Sequence, residues 1–517
     1  MDGLSLSEEN RARLKILGYI HAVEPVSHTQ THKNQGREEI QSQIDIRKAV
    51  SKLATLSPEQ SRHDAILEVL GDLLRQSQEM QSELGQTVIG SPLPGFLESD
   101  ESGARQCLVE AITSVALQSQ QTEGLIAEAG LASLLLLLRL SRVPLLSNDD
   151  LINIISYTDK RNSWTTGSAA GLAQKILASH ISRNDITDFT TGPVLRDFVP
   201  KQLSSLHSCG PPPVRDIDAS PPESQDIVKG HDRLGPVLKW AIENSEEAYV
   251  ARHWHLFIPA LVALAGNCRG SFKIMGLEAI ILFINKCPAT TIYATGVDRV
   301  LESVIMPMLL LVPPLIPEEE SVVVLNLGYQ AILSLATKNA DIHCCSRRRL
   351  LDTVVRDGIL ASHLHALERT STLKALLDNT AKVVVCLNVF SVKHLTDFLE
   401  VVDTVMCDPF SAEDPSVLVS ASEALAALLL NCWPRIKKTA REEQIIRMLC
   451  ICWMNLKDYT SRQSLSFSSE SNSRAAELSL IKTASMMCSV KKGSGALTDT
   501  RLRAVIDREP RLGSLFL

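Results

Sequence analysis

The chain has 517 residues, a hydrophobic content of 45% and a formal net charge of −7. Its charges are spread along the chain, which excludes a dedicated nucleic-acid surface, because such a surface needs clustered lysine and arginine. The aromatic content of 4% is low for a β-sandwich and ordinary for helices rich in leucine and alanine. Length alone predicts about three or four domains, whereas repeats of about 40 residues would form one continuous body.

Cysteine usage and the N-terminus predict the compartment. The N-terminus carries acidic residues and no apolar core of a signal peptide, and the 12 cysteines show no framework spacing. We therefore predict an intracellular protein with reduced thiols. The apolar runs 124–140 and 303–317 are interpreted as buried helices rather than membrane spans, because the first is short and contains Glu128 and the second is broken by four prolines.

Helical signals fill the first part of the chain. An amphipathic helix over 4–20 is either a weakly docked terminal helix or a partner-binding arm, and it forms an N-terminal region, 1–43, together with the polar segment behind it. Helical repeats are predicted over 44–204. Ser57-Pro58-Glu59 predicts one helix start, and Ser147 with its two neighbours predicts the cap of another.

Proline and serine content predict the boundaries of the remaining regions. The stretch 205–231 is rich in proline, so we interpret it as a loop or linker between two solenoid halves. HEAT-like repeats are predicted over 232–458. The last region, 459–517, combines a serine-rich segment with terminal helices, and low sequence complexity predicts disorder over 460–473.

The chain is organised around the stretch 254–338. Apolar residues recur there at helical spacing, and each set forms a stripe too narrow to make a core alone. Stacked helices would bury these stripes, as in a HEAT/armadillo-like α-solenoid, which is the predicted all-α fold. Pro317, followed by three glutamates, predicts a helix start with proline at the first helical position. The sets are Phe257, Leu261 and Leu264; Met275, Ala279, Leu282 and Phe283; and Val300, Val304, Met308 and Leu311.

Motifs for chemistry are absent from the sequence. It contains no P-loop, dinucleotide-binding, nucleophile-elbow, zincin or kinase signature, so we predict a non-enzyme without a cofactor. Two histidine pairs would have to converge in space to bind a metal, because neither has the i,i+4 spacing of ligands on one helix face. We interpret the histidines as structural, and we interpret the cysteines as buried thiols or as thiols that bind no metal. These residues are His253, His255, His363, His365, the run His343-Cys344-Cys345, Cys450 and Cys452.

Arg347, Arg348 and Arg349 form the densest basic cluster. Two interpretations stay open: the arginines pair with an acidic partner surface, or they lie at a solvated helix N-terminus, where the helix dipole disfavours them. The acidic triplet 318–320 is interpreted as a helix start matched to the dipole rather than as a binding site.

An ordered set of residues within 254–338 resembles a known family. It comprises Trp254 with the run 256–264, Phe272-Lys273 with Gly276, Cys287-Pro288, Pro307 and the run 312–319. The set is similar to the Tel-two-interacting protein two family, the smallest subunit of the triple-T complex, in a fungal-type version. Over about 60–200 and 340–455 only the helical pattern and length agree, and the extreme N-terminus, the proline-rich linker and the C-terminal tail show no match. The motif positions are Trp254, Pro259, Lys273, Gly276, Pro288, Pro307, Pro313, Pro314 and Pro317.

The resemblance implies an α-solenoid without catalytic residues, cofactor or metal. The implied partners are the other two triple-T subunits, Tel-two and the large Tel-two-interacting solenoid, and indirectly the Hsp-ninety system. Together they act as a co-chaperone for kinases related to phosphatidylinositol 3-kinases, on which DNA-damage, telomere and growth (TOR) signalling depend. A cytoplasmic and nuclear location without direct nucleic-acid or membrane binding is expected, and the motif positions are expected to serve packing and turns or to face a partner.

Two other functions stay open at this point. A generic HEAT-type adaptor in transport or trafficking would be recognised by co-purification with transport factors. An enzyme with an unfamiliar helical active site would require a deep pocket with convergent ionisable groups.

Overall fold

The computed structural model describes residues 5–16, 64–75, 99–117, 124–140, 146–162, 164–181, 185–208, 233–437, 439–462, 467–492 and 497–516. Within these ranges the regular structure is helical and contains no strand. The predicted all-α, HEAT-like class is therefore confirmed. The predicted helix start at Ser57-Pro58-Glu59, the polar segment before it and most of the proline-rich stretch lie outside the described residues.

The chain divides into two compact units. The first comprises Met1–Tyr249 with His255–Ala260, and the second comprises Val250–Trp254 with Leu261–Leu517. The division falls within one helix, α10 (Glu247–Ala265), and not at the proline-rich stretch. The backbone of α10 is non-helical at His253, and Pro259 lies inside the helix, where it cannot donate a helical hydrogen bond.

Two helices of the first unit, α5 and α6, begin at side-chain caps, formed by Ser147 and Thr166. Ser147 caps α5 as predicted, since its hydroxyl accepts from the Asp150 amide at 3.2 Å and the Asp150 carboxylate accepts in return from the Ser147 amide at 3.1 Å. The helix α8 runs to Ser208, so the predicted linker begins later than residue 205. The bounds are α1 (Glu8–Ile16), α2 (64–75), α3 (Ser99–Ile112) with a π-helical extension (Thr113–Leu117), α4 (Gly124–Leu140), α5 (Asn148–Ile155), α6 (Gly167–His180), α7 (Ile186–Phe189) with a π-helical extension (Thr190–Phe198), α8 (Val199–Ser208) and α9 (Leu234–Asn244).

The N-terminal helix is docked through a buried carboxylate. Glu128 in α4 is fully buried and accepts hydrogen bonds from the Ser7 amide, from Asn10 Nδ2 at 3.4 Å and from Thr166 Oγ1 at 2.7 Å. Leu14 is fully buried on the same short helix. Of the two interpretations of this segment, the structure shows the docked terminal helix.

A partly buried group of ion pairs in the first unit gives stability a dependence on pH. Hydrogen bonds from Arg161, and also from Lys239 at 2.8 Å, hold the pKa of Asp159 well below its usual range. A carboxyl whose pKa is lowered on folding stabilises the fold fully above its unfolded pKa of about 3.9 and loses that effect as the pH falls towards the folded value.

We expect Asp159→Asn to lower the free energy of unfolding at neutral pH, and the difference from the wild type to shrink as the pH falls below about 4. Urea unfolding of both proteins at several pH values measures this difference. A difference that stays constant down to pH 3 would contradict the assignment.

The helices of the second unit form two layers, and the chain passes repeatedly from one layer to the other. Its bounds are α11 (Gly270–Lys286), α12 (Ala289–Thr295), α13 (Val297–Ile305) with a 3₁₀ extension (Met306–Leu310), α14 (Glu318–Thr337), α15 (Cys345–Thr353) with a π-helical extension (Val354–Leu360), α16 (Ala361–Ala366), α17 (Thr370–Leu387) with a 3₁₀ extension (Asn388–His394), α18 (Leu395–Met406), a 3₁₀ turn (Pro409–Glu413), α19 (Pro415–Ile436), α20 (Ala440–Arg462), α21 (Phe467–Lys492), α22 (Leu497–Arg508), a 3₁₀ turn (Pro510–Leu512) and α23 (Gly513–Phe516).

The layers follow from which helices pack together. In the first layer α11, α14, α17, α19 and α21 each pack against the next, and the elements between them form the second layer. One first-layer helix and the second-layer elements that follow it make a repeat of about 50 residues, slightly longer than predicted. This arrangement buries each apolar stripe against its neighbours, as solenoid stacking requires.

Ion pairs join successive elements of the second layer with one polarity. Each acid belongs to the earlier repeat and each base to the following one, with N···O distances between 2.7 and 2.9 Å. Because these side chains are partly exposed, each pair contributes at most about 1 kcal/mol. These ion pairs therefore contribute more to the alignment of successive repeats than to their stability. The pairs are Glu302–Arg349, Asp352–Lys393, Asp403–Arg447 and Asp458–Arg511.

Two helical stretches of this unit, Thr370–Met406 and Pro415–Ile436, are long and apolar enough to cross a membrane by length and composition alone. Within the apolar 18-residue window of each stretch, 50% of the first and 61% of the second is buried inside the protein. The first is also interrupted at Asn388, which has a φ of 54°. These features are those of core helices packed on their neighbours, as α17 and α19 are.

The structure corrects two details of the predicted pattern and confirms a third. Pro317 is the N-cap of α14, which begins at Glu318, and is not its first helical residue. Val300 is exposed, because the chain tightens into a 3₁₀ turn at Met306 and the buried stripe shifts to Val297, Leu301, Ile305 and Met308. The stripe around Phe257, Leu261 and Leu264 is fully buried, as predicted.

The predicted disorder over 460–473 is wrong where the structure describes that segment. The helix α20 continues to Arg462, and α21 begins at Phe467. Ser473, Ala476 and Leu480 continue a buried stripe along α21, which packs against α19. Serine content misled the prediction, because a stripe of small residues is sufficient where a neighbouring helix is close.

Candidate partner-binding surfaces

Two motif residues of the second unit hold α10 and α11 together. A Cβ on the buried Gly276 would lie 2.5 Å from the Ala265 amide nitrogen and 2.9 Å from the Ala265 Cα, so only glycine allows the two backbones this close. Lys273 Nζ donates to the carbonyl of Asn267 in the turn between the helices. Both residues therefore serve packing and turn geometry.

The remaining motif residues are dispersed over several elements. Trp254 is half-buried in α10, and Pro259 is exposed in the same helix. Pro288 is the N-cap of α12, and Pro307 is the second residue of the 3₁₀ extension of α13. A role of these residues in partner binding stays a prediction.

The loop 311–317 combines a buried anchor with an exposed tip. Val312 and Pro313 are buried, and Ser321 Oγ donates to the Leu311 carbonyl at 2.8 Å, which fixes the loop against the start of α14. Pro314 and Pro317 are exposed, and Leu315 is 69% exposed. An exposed leucine held by prolines has little conformational entropy to lose on binding.

The following repeats present large apolar residues at the equivalent connection. Leu364 and Phe410, each 73% exposed, lie in the segments that lead into α17 and α19, as Leu315 does before α14. Two hydrogen bonds join the segments that carry Leu315 and Leu364. Ser362 Oγ donates to the Leu309 carbonyl, and the Ser371 amide donates to the Glu318 carboxylate. We call Pro314, Leu315, Leu364 and Phe410 the proline edge.

Acidic residues surround the proline edge. Glu319, Glu368, Asp408 and Glu413 are exposed near it, with Arg369 as a nearby exception. Sequence reasoning missed Leu364 and Phe410. The available signal was a large apolar residue recurring about 50 residues apart, directly before each first-layer helix.

The predicted basic cluster is divided by the fold. Arg347 is buried, and its guanidinium donates to the Asn339 carbonyl at 3.1 Å and to the Cys386 carbonyl at 3.0 Å. The interpretation as a solvated helix N-terminus is wrong for this residue, because its side chain fills the space between two chain segments.

The other two arginines of the cluster lie nearer to solvent. The Arg348 guanidinium lies 4.7 Å from the centre of the Phe390 ring, a cation–π distance. Arg349 forms a two-point pair with Glu302 at 3.0 and 2.7 Å. Partner binding by these two residues stays a prediction.

We expect Arg347→Met to lower the free energy of unfolding by about 2 kcal/mol, because two partly buried carbonyls lose their charged donor. Arg349→Met removes an exposed pair and should cost less than about 1 kcal/mol. Urea unfolding midpoints measure both effects. Equal losses in the two variants would show that Arg347 does not brace the fold.

The histidine pairs do not converge on a site. His363 is buried, burial lowers its pKa, and His365 is exposed one position beyond Leu364. His253 is half-buried and His255 is exposed. Within the part of the chain that the structure describes, no group of three or more His, Cys, Asp or Glu side chains is placed to hold a metal ion.

Burial raises the pKa of two cysteine thiols that the sequence analysis singled out. Burial raises the pKa of Cys450 to about 11 and that of Cys452 to about 12. The Ser346 hydroxyl lowers the pKa of Cys344, which is half-buried at the start of α15.

Together these features define an all-α protein of stacked HEAT-like helical repeats, with exposed apolar residues at the repeat connections. The model of the Tti2 family matches residues 151–413, just over half of the chain, and we conclude that the chain belongs to the Tti2 family. The matched region contains every motif position and the whole proline edge. Membership of this scaffold family suggests a role as a subunit of the triple-T complex.

Other comparisons add little. No curated protein matches the chain. A crystal structure of SYS-1 aligns over 87% of both chains with 10% identity and a TM-score of 0.30. A likeness at that TM-score says nothing about the function of this chain.

Proposed function

We propose that the chain is the smallest, non-catalytic subunit of a fungal-type triple-T co-chaperone complex. In this role it supports the Hsp-ninety-dependent maturation and stability of kinases related to phosphatidylinositol 3-kinases. The observation that carries the proposal is the Tti2 family match over 151–413. DNA-damage, telomere and growth signalling would depend on the protein indirectly, and it would act in the cytoplasm and the nucleus.

The proposed mechanism is presentation of a surface. The repeat stack holds the proline edge in place, and the edge binds the large Tel-two-interacting solenoid subunit. Exposed leucine and phenylalanine side chains supply apolar anchors, which dominate the energy of protein interfaces when they are buried at the centre. The acidic residues around the edge favour lysine and arginine on the partner.

Affinity purification of the tagged full chain tests the proposal. We expect the other two triple-T subunits to be recovered, and the related kinases in smaller amounts. Recovery of a folded chain without either subunit would overturn the proposal. Recovery of transport factors in their place would favour a generic HEAT-type adaptor.

Paired substitutions test the surface. Leu315→Arg combined with Leu364→Arg should reduce recovery of the large subunit at least about tenfold, because two apolar anchors are replaced by charge. Leu478→Arg is the matched control, since Leu478 is also an exposed leucine (61%) but lies on α21, outside the family match. Undiminished recovery with the double variant would place the interface elsewhere.

A further inference from the structure

A second apolar surface lies at the opposite ends of the first-layer helices. Val385 and Leu430 are 59% and 67% exposed near the C-terminal ends of α17 and α19, and Val389 and Trp433 are about half exposed beside them. We call these four residues the C-terminal patch. Scattered single apolar residues on a surface need no explanation, whereas a contiguous group that includes tryptophan is typical of an interface.

The two chain segments that carry these four residues are joined by a hydrogen bond. Ser391 Oγ and Cys432 Sγ lie 3.1 Å apart, which places Val389 and Trp433 on neighbouring turns. Leu430 and Trp433 are three positions apart on α19 and therefore share a helix face. Asn388, with its φ of 54°, ends α17 directly before Val389.

The two chain segments that form this patch carry basic residues and no acidic ones. Residues 379–396 and 424–441 contain no aspartate or glutamate. Lys382 and Arg435 are exposed within these stretches, and the Arg348 guanidinium over Phe390 adds a further cation. Cations near helix C-termini match the helix dipole, but the dipole does not account for an exposed tryptophan and leucine between them.

Asp352 and Asp397 lie close to these stretches, but they do not make the net charge around the patch negative. Asp352 is neutralised by Lys393 at 2.7 Å and also contacts His394 at 2.7 Å. Asp397 lies on the other side of the same histidine, at 4.0 Å. The surface offered to a partner is therefore apolar at its centre and basic at its rim.

We propose that the C-terminal patch binds an acidic amphipathic helix of a partner protein. Leucine-type residues at i, i+3, i+4 and i+7 would cover Leu430, Trp433 and the two valines, while aspartate or glutamate on the flanks would meet Lys382 and Arg435. A second copy of the chain fits poorly, because a symmetric contact would bring the same cations together. The proposal does not depend on the function proposed above, since the proline edge is a separate surface of opposite charge.

Fluorescence anisotropy with two synthetic peptides tests the proposal on the full chain. Both are helices of about 18 residues with the same leucine stripe; one carries glutamate at its polar positions and the other carries lysine. We expect the glutamate peptide to bind at least about tenfold more tightly and to weaken with added salt. Equal binding of the two peptides, or no binding of the glutamate peptide, would overturn the proposal.

Variants locate the binding site. Trp433→Ala, and separately the pair Lys382→Glu and Arg435→Glu, should each weaken binding of the glutamate peptide at least about tenfold. Leu478→Ala, at an exposed leucine away from the patch, should leave it unchanged. Lys382 and Arg435 are exposed, so thermal melts of their variant should match the wild type, and a melt of Trp433→Ala verifies that this variant is folded. Binding that is unaffected by Trp433→Ala would overturn the assignment.

Two further measurements address other occupants. Binding of phosphatidylserine vesicles that Trp433→Ala abolishes, without peptide binding, would overturn the proposal in favour of a lipid surface. Dimer formation in sedimentation that the same variant abolishes would overturn it in favour of self-association.

Discussion

Leu261→Asp should destabilise the second unit by about 4 kcal/mol or more. Leu261 is fully buried, so the variant loses a core leucine and places an unpaired carboxylate in an apolar environment. A loss of this size lowers the melting temperature by roughly 10 °C in a unit of this length. Calorimetry or circular dichroism of the purified variant measures it.

Gln330→Asp is the matched control for the aspartate. Gln330 is exposed on α14 in the same unit, so the same new side chain stays in water and should cost less than about 1 kcal/mol. An unchanged melting temperature for Leu261→Asp would show that the stripe in α10 is not part of the core.

Gly276→Val should lower the free energy of unfolding by about 3 kcal/mol. The new Cβ would meet backbone atoms of Ala265 at 2.5 and 2.9 Å, and backbone cannot move aside as a flexible side chain can. The helices α10 and α11 must therefore separate, which opens the packing around them. Denaturant unfolding gives the change in free energy.

Gly171→Val makes the same substitution where space is open. A Cβ at Gly171, in the helix α6, meets nothing within 4 Å, so helix propensity should make the change neutral or slightly stabilising. The sign of the effect thus depends on the neighbouring backbone and not on glycine itself. Similar losses at both positions would contradict the close helix contact.

Local periodicity predicted the core where the helix was regular. Phe257, Leu261 and Leu264 are buried because they share one face of a continuous helix. The prediction failed at Val300, where the following 3₁₀ turn changes the period from 3.6 to three residues. This change of helix type depends on the contacts of the Met306–Leu310 segment, so the spacing of apolar residues does not predict it.

The candidate surfaces were harder to predict, because they depend on pairing between repeats. The sequence identified the prolines of the loop 311–317, but it did not place Leu364 near Leu315 without the register that the Ser362–Leu309 hydrogen bond shows. Arg347 was interpreted as exposed because its burial depends on a carbonyl at Cys386, 39 residues away. The Tti2 family was identified from the motif 254–338 alone.

Hydrogen–deuterium exchange on the full chain, with and without the purified large triple-T subunit, tests the central claim most directly. Binding at the proline edge should slow amide exchange in 311–317 and 361–366 at least about tenfold, because docked backbone is withdrawn from water. Unchanged exchange in both segments, in a complex whose formation is verified by its mass, would contradict a docking role for this edge.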